Sequence, residues 1–193
     1  ATLKNWSDPD DCRPDLGHCS VCSVGLYWLL GYVADQRIDW SNHMQKLGLL
    51  AVFAFVIIVV GMAIGIGFPP GEWYASLQKP WFTPPNAAFG PIWTILYIFI
   101  AIAGWRTWIS DSGWQRRGPW FGQMILNFIW TPIFFGAHMT VLGLVVIIGV
   151  WLCVLLFILR AWRPDRISAL LFVPYLIWLS LATALNAAIV VLN

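Results

Sequence analysis

The sequence predicts an all-α membrane protein, a bundle of five transmembrane helices, on three observations. Hydrophobic residues make up 60% of the 193-residue chain and charged residues only 10%, against about 25% charged in an ordinary soluble domain. Beyond Met44 the charges collect in short connections, leaving apolar stretches near the ~20 residues that cross a bilayer core. The third observation is the stretch Glu72 to Gly90, where Pro80, Pro84 and Pro85 forbid a regular helix and so enforce an ordered break. That break carries Trp73, Tyr74, Trp81, Phe82 and Phe89, more aromatic surface than a connector needs, so it is expected to lie over something.

Two regions are expected: an N-terminal extension, 1–43, and a transmembrane module, 44–193. The extension concentrates Asp8, Asp10, Asp11, Asp15, Asp35 and Asp39, and its apolar run Val24 to Val33 is too short to span. It reads as a leader, a variable extension or an appended segment. Cys12, Cys19 and Cys22, with His18 and His43, fall short of the two regular Cys/His pairs of a zinc knuckle, so no metal site is expected.

The first span is Leu47 to Phe68, whose Gly61, Gly65 and Gly67 include a Gly-x-x-x-Gly spacing suited to close backbone approach, read here as a contact within the chain. The second runs from Ala87 to Trp108 and is entered through Pro91. The third, Pro119 to Gly136, places Gln123, Asn127 and Thr131 four residues apart, a polar stripe that must face inward because an unsatisfied polar group in hydrocarbon costs several kcal/mol. A turn at Gly136 to Thr140 leads to the fourth, Val141 to Trp162, apolar all round and expected to face lipid broadly. The fifth, Ile167 to Leu192, contains Pro174 as an expected kink.

Lys46, Arg106, Arg116, Arg117, Arg160, Arg163 and Arg166 fall on one side of this arrangement and Lys79 alone on the other, so the positive-inside rule places the N-terminus in the cytoplasm for an inner membrane. A net charge of +2 with no basic run gives nucleic acid nothing to bind, and the partner surface is lipid. No catalytic triad or phosphate loop is present. Glu72, Asp111 and Asp165 are the only carboxylates beyond Met44, all in connections, which argues against a proton-coupled carrier. His138 reads as a solvated turn residue rather than a haem ligand.

Trp93 and Tyr97 lie one turn apart, Asn127 and Trp130 share a face, and Trp178, Ala182, Leu185 and Asn186 follow three-four spacing. They describe either aromatic walls of a site for a flat apolar ligand or a packed core whose indole N–H groups bond to amides and hydroxyls.

Five motifs in order now bear on that choice. They are Trp-Tyr-x-x-Leu-x-Lys-Pro at 73–80, Pro-Pro at 84–85, Gly-Pro-x-Trp-x-x-Leu-Tyr at 90–97, Leu-Asn-x-x-Trp-x-Pro-x-Phe-Phe-Gly at 126–136, and Pro-Tyr-Leu-x-Trp-x-x-x-Ala-Thr-x-Leu-Asn at 174–186. Together they resemble the signature of the TspO/translocator protein family, the tryptophan-rich sensory proteins or peripheral-type benzodiazepine receptors, across Met44 to Asn193. The resemblance implies a homodimeric five-helix bundle that binds porphyrin, haem-pathway intermediates and related flat apolar molecules and needs no cofactor. It implies a pocket lined by Trp93, Tyr97, Asn127, Trp130, Trp178, Ala182, Leu185 and Asn186, under a loop in which Trp73, Tyr74 and Trp81 are lid residues. It also implies that Trp93 and Trp178 would be the catalytic residues if the protein degrades porphyrin in light, with sensing or transport, or a passive scaffold, as the other readings. The cholesterol-recognition pattern of animal members is missing, since Leu185 to Asn193 offers no Tyr followed by Lys or Arg, and a bacterial tetrapyrrole-type ligand is expected instead.

Overall fold

The protein's structure, a computed structural model, describes residues 40–110 and 113–193, with side chains from Met44 onward. The expectations for the extension, including Cys12, His18, Cys19, Cys22 and the His43 side chain, lie outside the described residues, as does Asp111. The described chain is helical: α1 (Trp40–Gly67), α2 (Glu72–Ser76), α3 (Asn86–Ile109), α4 (Gly113–Thr131), α5 (Thr140–Ala161) and α6 (Arg166–Leu192). A π-helical turn, Pro132–Gly136, continues α4. Pro132 has no N–H to offer the preceding turn, and the ladder widens there so that the Ala137 N–H reaches the Pro132 carbonyl at 2.8 Å.

Four helices, α1 from Met44, α3, α5 and α6, are long and apolar enough to cross a membrane. The helix α4 is of similar length but carries Gln115, Arg116, Arg117, Gln123 and Asn127. Its polar stripe turns inward, with Gln123 fully buried and Asn127 nearly so, while Ile125 and Ile129 face out. Periodicity therefore places this helix more sharply than total hydropathy does.

The long helices α3 to α6 pack around a core of Ile100, Trp120, Val154, Phe157, Phe172 and Tyr175. Phe157 on α5 and Phe172 on α6 meet with ring centroids 4.2 Å apart. Gly104 on α3 seats the Trp120 indole of α4, leaving no room for a Cβ, and the indole N–H donates to the Ile100 carbonyl at 3.1 Å. This contact works because glycine removes the atom that would otherwise hold the ring away.

The expected broad lipid-facing surface is present on α5, where Val141, Val145, Leu152 and Leu159 stand exposed, and α1 is more exposed still. In its most apolar window α1 buries 11% of its residues against 33% for α5, which is held between α4 and α6. Uniform apolarity cannot distinguish the two, because a helix greasy all round suits a bundle centre as well as its rim. The Gly-x-x-x-Gly spacing plays a different part from the one expected: Gly61 accommodates the ring of Tyr97, and nothing lies within 4 Å of a Cβ built at Gly65. Among the described residues of this chain, one glycine receives a side chain and no helix backbone packs on the pair.

The described arginines and Lys46 gather at one end of the bundle, with Lys79 alone at the other. The Trp105 N–H donates to the Lys46 carbonyl at 2.6 Å, Arg160 donates to the Gln115 carbonyl at 2.7 Å, and Arg117 donates to the Trp108 carbonyl at 3.2 Å. Asp165 caps α6, accepting from the Ser168 N–H at 3.3 Å and its hydroxyl at 2.6 Å, and it receives Arg106 of α3 at 2.9 Å. Burial pushes the Asp165 carboxyl up, but the hydrogen bonds from Arg106 and Ser168 outweigh it and hold the group below the usual carboxylate range.

Two outcomes are expected from these contacts. Gly104→Ala should destabilise the bundle by about 1–3 kcal/mol through overpacking, whereas Gly65→Ala should be neutral within about 0.5 kcal/mol; unfolding in detergent measures both. Asp165 has a lowered folded pKa, so its contribution is complete above the unfolded value of about 3.9 and fades as pH falls through the folded value. The thermal midpoint should therefore drop more steeply below about pH 4 in the wild type than in Asp165→Asn, which starts lower because Arg106 and Ser168 have lost their acceptor.

Candidate functional site

At the opposite end from the arginines, the chain between α1 and α3 is folded down by its own side chains. Lys79 places its ammonium against the carbonyls of Tyr74, Ala75 and Leu77 at 2.6, 3.2 and 3.0 Å, capping the short helix α2 where its carbonyls lack partners. Tyr74, almost fully buried, drives its ring against Phe134 and Phe135 of the π-helical turn. Trp73 stacks flat on His138 with centroids 4.1 Å apart. His138 holds a left-handed backbone with φ of 58°, and it is an exposed turn residue, as its sequence context suggests. Asn193 adds a clasp from α6, accepting from the Gln78 N–H at 3.0 Å and donating to the Gln78 carbonyl at 3.1 Å. Pro85, extended at φ −63° and ψ 142°, then turns the chain into α3.

Under this loop lies a cavity of about 420 Å³, within the range of small-molecule sites. Trp93, Tyr97, Asn127, Trp130, Trp178 and Ala182 all line it, so α3, α4 and α6 each contribute the residues their spacing suggested. Trp93 lies against Tyr97 at 5.3 Å and edge-on to Tyr175 at 6.2 Å, and Trp178 meets Phe89 edge-on at 5.6 Å. The floor is a hydrogen-bonded chain: Tyr97 donates to Asn127 Oδ1 at 3.4 Å, Asn127 Nδ2 donates to the Tyr175 hydroxyl at 2.8 Å, and that hydroxyl donates to Gln123 Oε1 at 3.2 Å. Trp130 stacks on Phe134 at 5.0 Å.

The remaining expected residues sit elsewhere. Leu185 is buried with Tyr74, Phe134 and Ile189 in a separate apolar cluster behind the cavity wall. Asn186 is buried and donates to the Thr140 carbonyl at 2.9 Å, tying α6 to the start of α5. Three-four spacing put both on the face of Trp178 and Ala182, but over two turns that face passes from the cavity onto α5 and the π-helical turn. Of the lid residues, Tyr74 lines the cavity, Trp73 is spent on His138 and Phe134, and Trp81 is 95% exposed with Phe82 as its ring neighbour.

Several lining residues escape sequence reasoning. Gly61, Met62, Gly65 and Ile66 make α1 a cavity wall, and Ile147 and Val150 of α5 close the back. None carries an aromatic ring or a polar tip, so no chemical signal marks them. Phe89 and Asn86 were within reach, because they lie about one and two turns before Trp93 on the same face of α3, and Thr94 is its immediate neighbour.

Trp73→Ala should loosen the loop, raising amide exchange at residues 74–79 several-fold, in line with the ~0.5–1.5 kcal/mol an aromatic pair contributes. Trp81→Ala should leave that exchange unchanged, and mass-spectrometric exchange in detergent separates the two.

Comparison with known proteins agrees with this architecture. The model of the TspO/MBR family matches residues 48–192. The chain is 39% identical over 155 residues to Protein CrtK of Rhodobacter capsulatus, covering 77% of this chain and 95% of that one. It is 37% identical over 154 residues to the Tryptophan-rich protein TspO of Archaeoglobus fulgidus, covering 76% and 99%. The human Translocator protein is 34% identical over 135 residues, covering 66% and 80%. With a family model covering nearly all of the helical module and relatives matched over almost their full lengths, the chain belongs to the TspO/MBR family.

Proposed function

We propose that this membrane protein binds tetrapyrroles and related flat apolar molecules in the cavity beneath the α1–α3 loop and so acts in their sensing, transport or turnover. The observation that carries the reading is the cavity itself: a volume walled by the broad aromatic faces of Trp93, Trp130 and Trp178, with a neutral polar floor at Asn127 and Tyr97. Flat rings gain dispersion and edge-to-face contacts on such walls, and a few fixed polar tips orient them. The names of relatives, tryptophan-rich sensory protein and translocator protein, support the sensing and transport side of the reading.

In this reading α4 is the fifth membrane span. It extends through the π-helical turn to Gly136, and Asn127 Nδ2 and Gln123 Oε1 meet the Tyr175 hydroxyl inside the bundle. The cationic end faces the cytoplasm and the loop the opposite compartment. In a cysteine-free background, Gln115→Cys and Ala137→Cys should then react with an impermeant maleimide from opposite sides of sealed vesicles. Labelling of both from one side would remove the fifth span.

Titrating the purified protein with protoporphyrin tests the ligand reading. Saturable tryptophan quenching is expected, with affinity weakened about tenfold or more in Trp93→Ala and Trp178→Ala, in keeping with the loss of a buried aromatic contact. Trp81→Ala should bind as the wild type does. Quenching that is absent, or indifferent to the cavity tryptophans, would overturn the proposal. A light-driven oxidation of bound porphyrin, with dioxygen as the oxidant, is the second reading, favoured by Trp93 lying in ring contact with both Tyr97 and Tyr175. It requires a bilin-like product in light that disappears in Trp93→Phe.

A further inference from the structure

The cavity's charge, rather than its shape, points to the protonation and esterification state of what it accepts. Every described side chain that lines it is uncharged: its polar groups are amides, hydroxyls and indole N–H groups, from residues such as Asn86, Thr94, Asn127 and Thr131. Arg106, Arg116, Arg117, Arg160 and Arg166 are drawn together at the far end of the helices, where Asp165 and helix-end carbonyls engage several of them. On the loop side the described charges are Lys79 and Glu72. The Lys79 ammonium already makes three short contacts to backbone carbonyls and lies 4.8 Å from the Tyr74 ring centroid, so drawing it toward a ligand would uncap α2. Glu72 would repel an anion.

We infer that the cavity selects uncharged flat ligands over their carboxylates, so that a tetrapyrrole would be held in an esterified or otherwise carboxylate-free form in preference to the free dicarboxylate. The physical reason is desolvation. A carboxylate moved from water to an apolar wall needs a counter-charge or a dense set of donors to offset the loss of hydration. The neutral donors that remain, the second Asn127 Nδ2 hydrogen and the unpartnered Trp130 indole N–H, carry no counter-charge and are too few to replace a carboxylate's hydration. A neutral ring system makes no such demand. Selection of this kind also suits a ligand that is already dissolved in the bilayer, where its neutral form partitions.

The inference deepens the proposed tetrapyrrole reading but rests on the cavity alone, and the experiment separates the two. The full-length protein in phosphatidylcholine nanodiscs is titrated with two matched pairs at about pH 8, where carboxylates are ionised: pyrene-1-carboxaldehyde against pyrene-1-carboxylate, and protoporphyrin dimethyl ester against protoporphyrin. Affinities are corrected for partition into empty nanodiscs, and Ala182→Trp, which fills the cavity, marks cavity-independent binding. The neutral member of each pair is expected to bind at least about tenfold more tightly after correction. Thr94→Lys, checked for an unchanged thermal midpoint, should reduce or reverse that preference by supplying a counter-charge. Should the lysine unfold the bundle, Asn86→Lys at the start of α3 serves the same end. Equal or better binding of the carboxylates overturns the inference even if protoporphyrin binds well. Preference for the pyrene aldehyde with no binding of either porphyrin upholds it while sinking the tetrapyrrole reading. No cavity-dependent binding of any probe overturns both.

Discussion

A hydroxyl with no water to turn to holds the centre of this bundle. The Tyr175 side chain is completely buried, and its oxygen both accepts from Asn127 and donates to Gln123. In an apolar interior a phenol left unpaired costs a few kcal/mol, and two amides left unpaired cost more, so the three groups stabilise one arrangement by excluding the others. Through Asn127 the chain of bonds reaches Tyr97, whose ring occupies the notch at Gly61. One polar network thus fixes α6 to α4, sets α3 beside them, and gives the peripheral helix α1 a point of registration. Removing Asn127 would release all four helices from a common reference.

The cavity is a consequence of that network as much as of the aromatic residues around it. Helices pressed together by apolar contact alone would close over the space between α1, α3 and α6. Here the polar floor holds the helices at fixed separation, and the loop closes the top without filling the space below. The loop is pinned at Lys79, Tyr74, Trp73 and Gln78 by four different kinds of contact: capping, apolar insertion, ring stacking and a paired amide clasp. A segment held in so many ways is a roof rather than a loose flap. Its prolines keep it from joining α3, whose first turn begins at the residue after Pro85.

Polarity is divided along the helix axis. At one end, arginines meet Asp165 and exposed carbonyls in contacts that also tie α3 to α6 and α4 to α5. At the other, the site is built from neutral donors and acceptors alone among the described residues. The separation satisfies two demands that would conflict if mixed: cations at the helix ends stay near water and headgroups, and an uncharged chamber avoids the desolvation cost of a buried ion.

The sequence by itself determined the helical class, the break at Glu72 to Gly90 and the inward turn of Gln123, Asn127 and Thr131, because each follows from local chemistry: run length, proline geometry and the cost of a polar group in lipid. It also marked Trp93, Tyr97, Asn127, Trp130, Trp178 and Ala182, since ring size and amide placement at helical spacing are visible without coordinates. Only the tertiary structure decided that Leu185 and Asn186 lie behind the wall, that Trp81 stands in the open, and that the wall's other side is the plain surface of Gly61, Met62, Gly65 and Ile66. That α1 is more exposed than α5 was equally hidden, because both helices are apolar all round and periodicity has no contrast to read. Which neighbours a uniform helix takes depends on partners distant in sequence, such as the Tyr97 ring that finds Gly61, and those pairings exist only once the chain is folded.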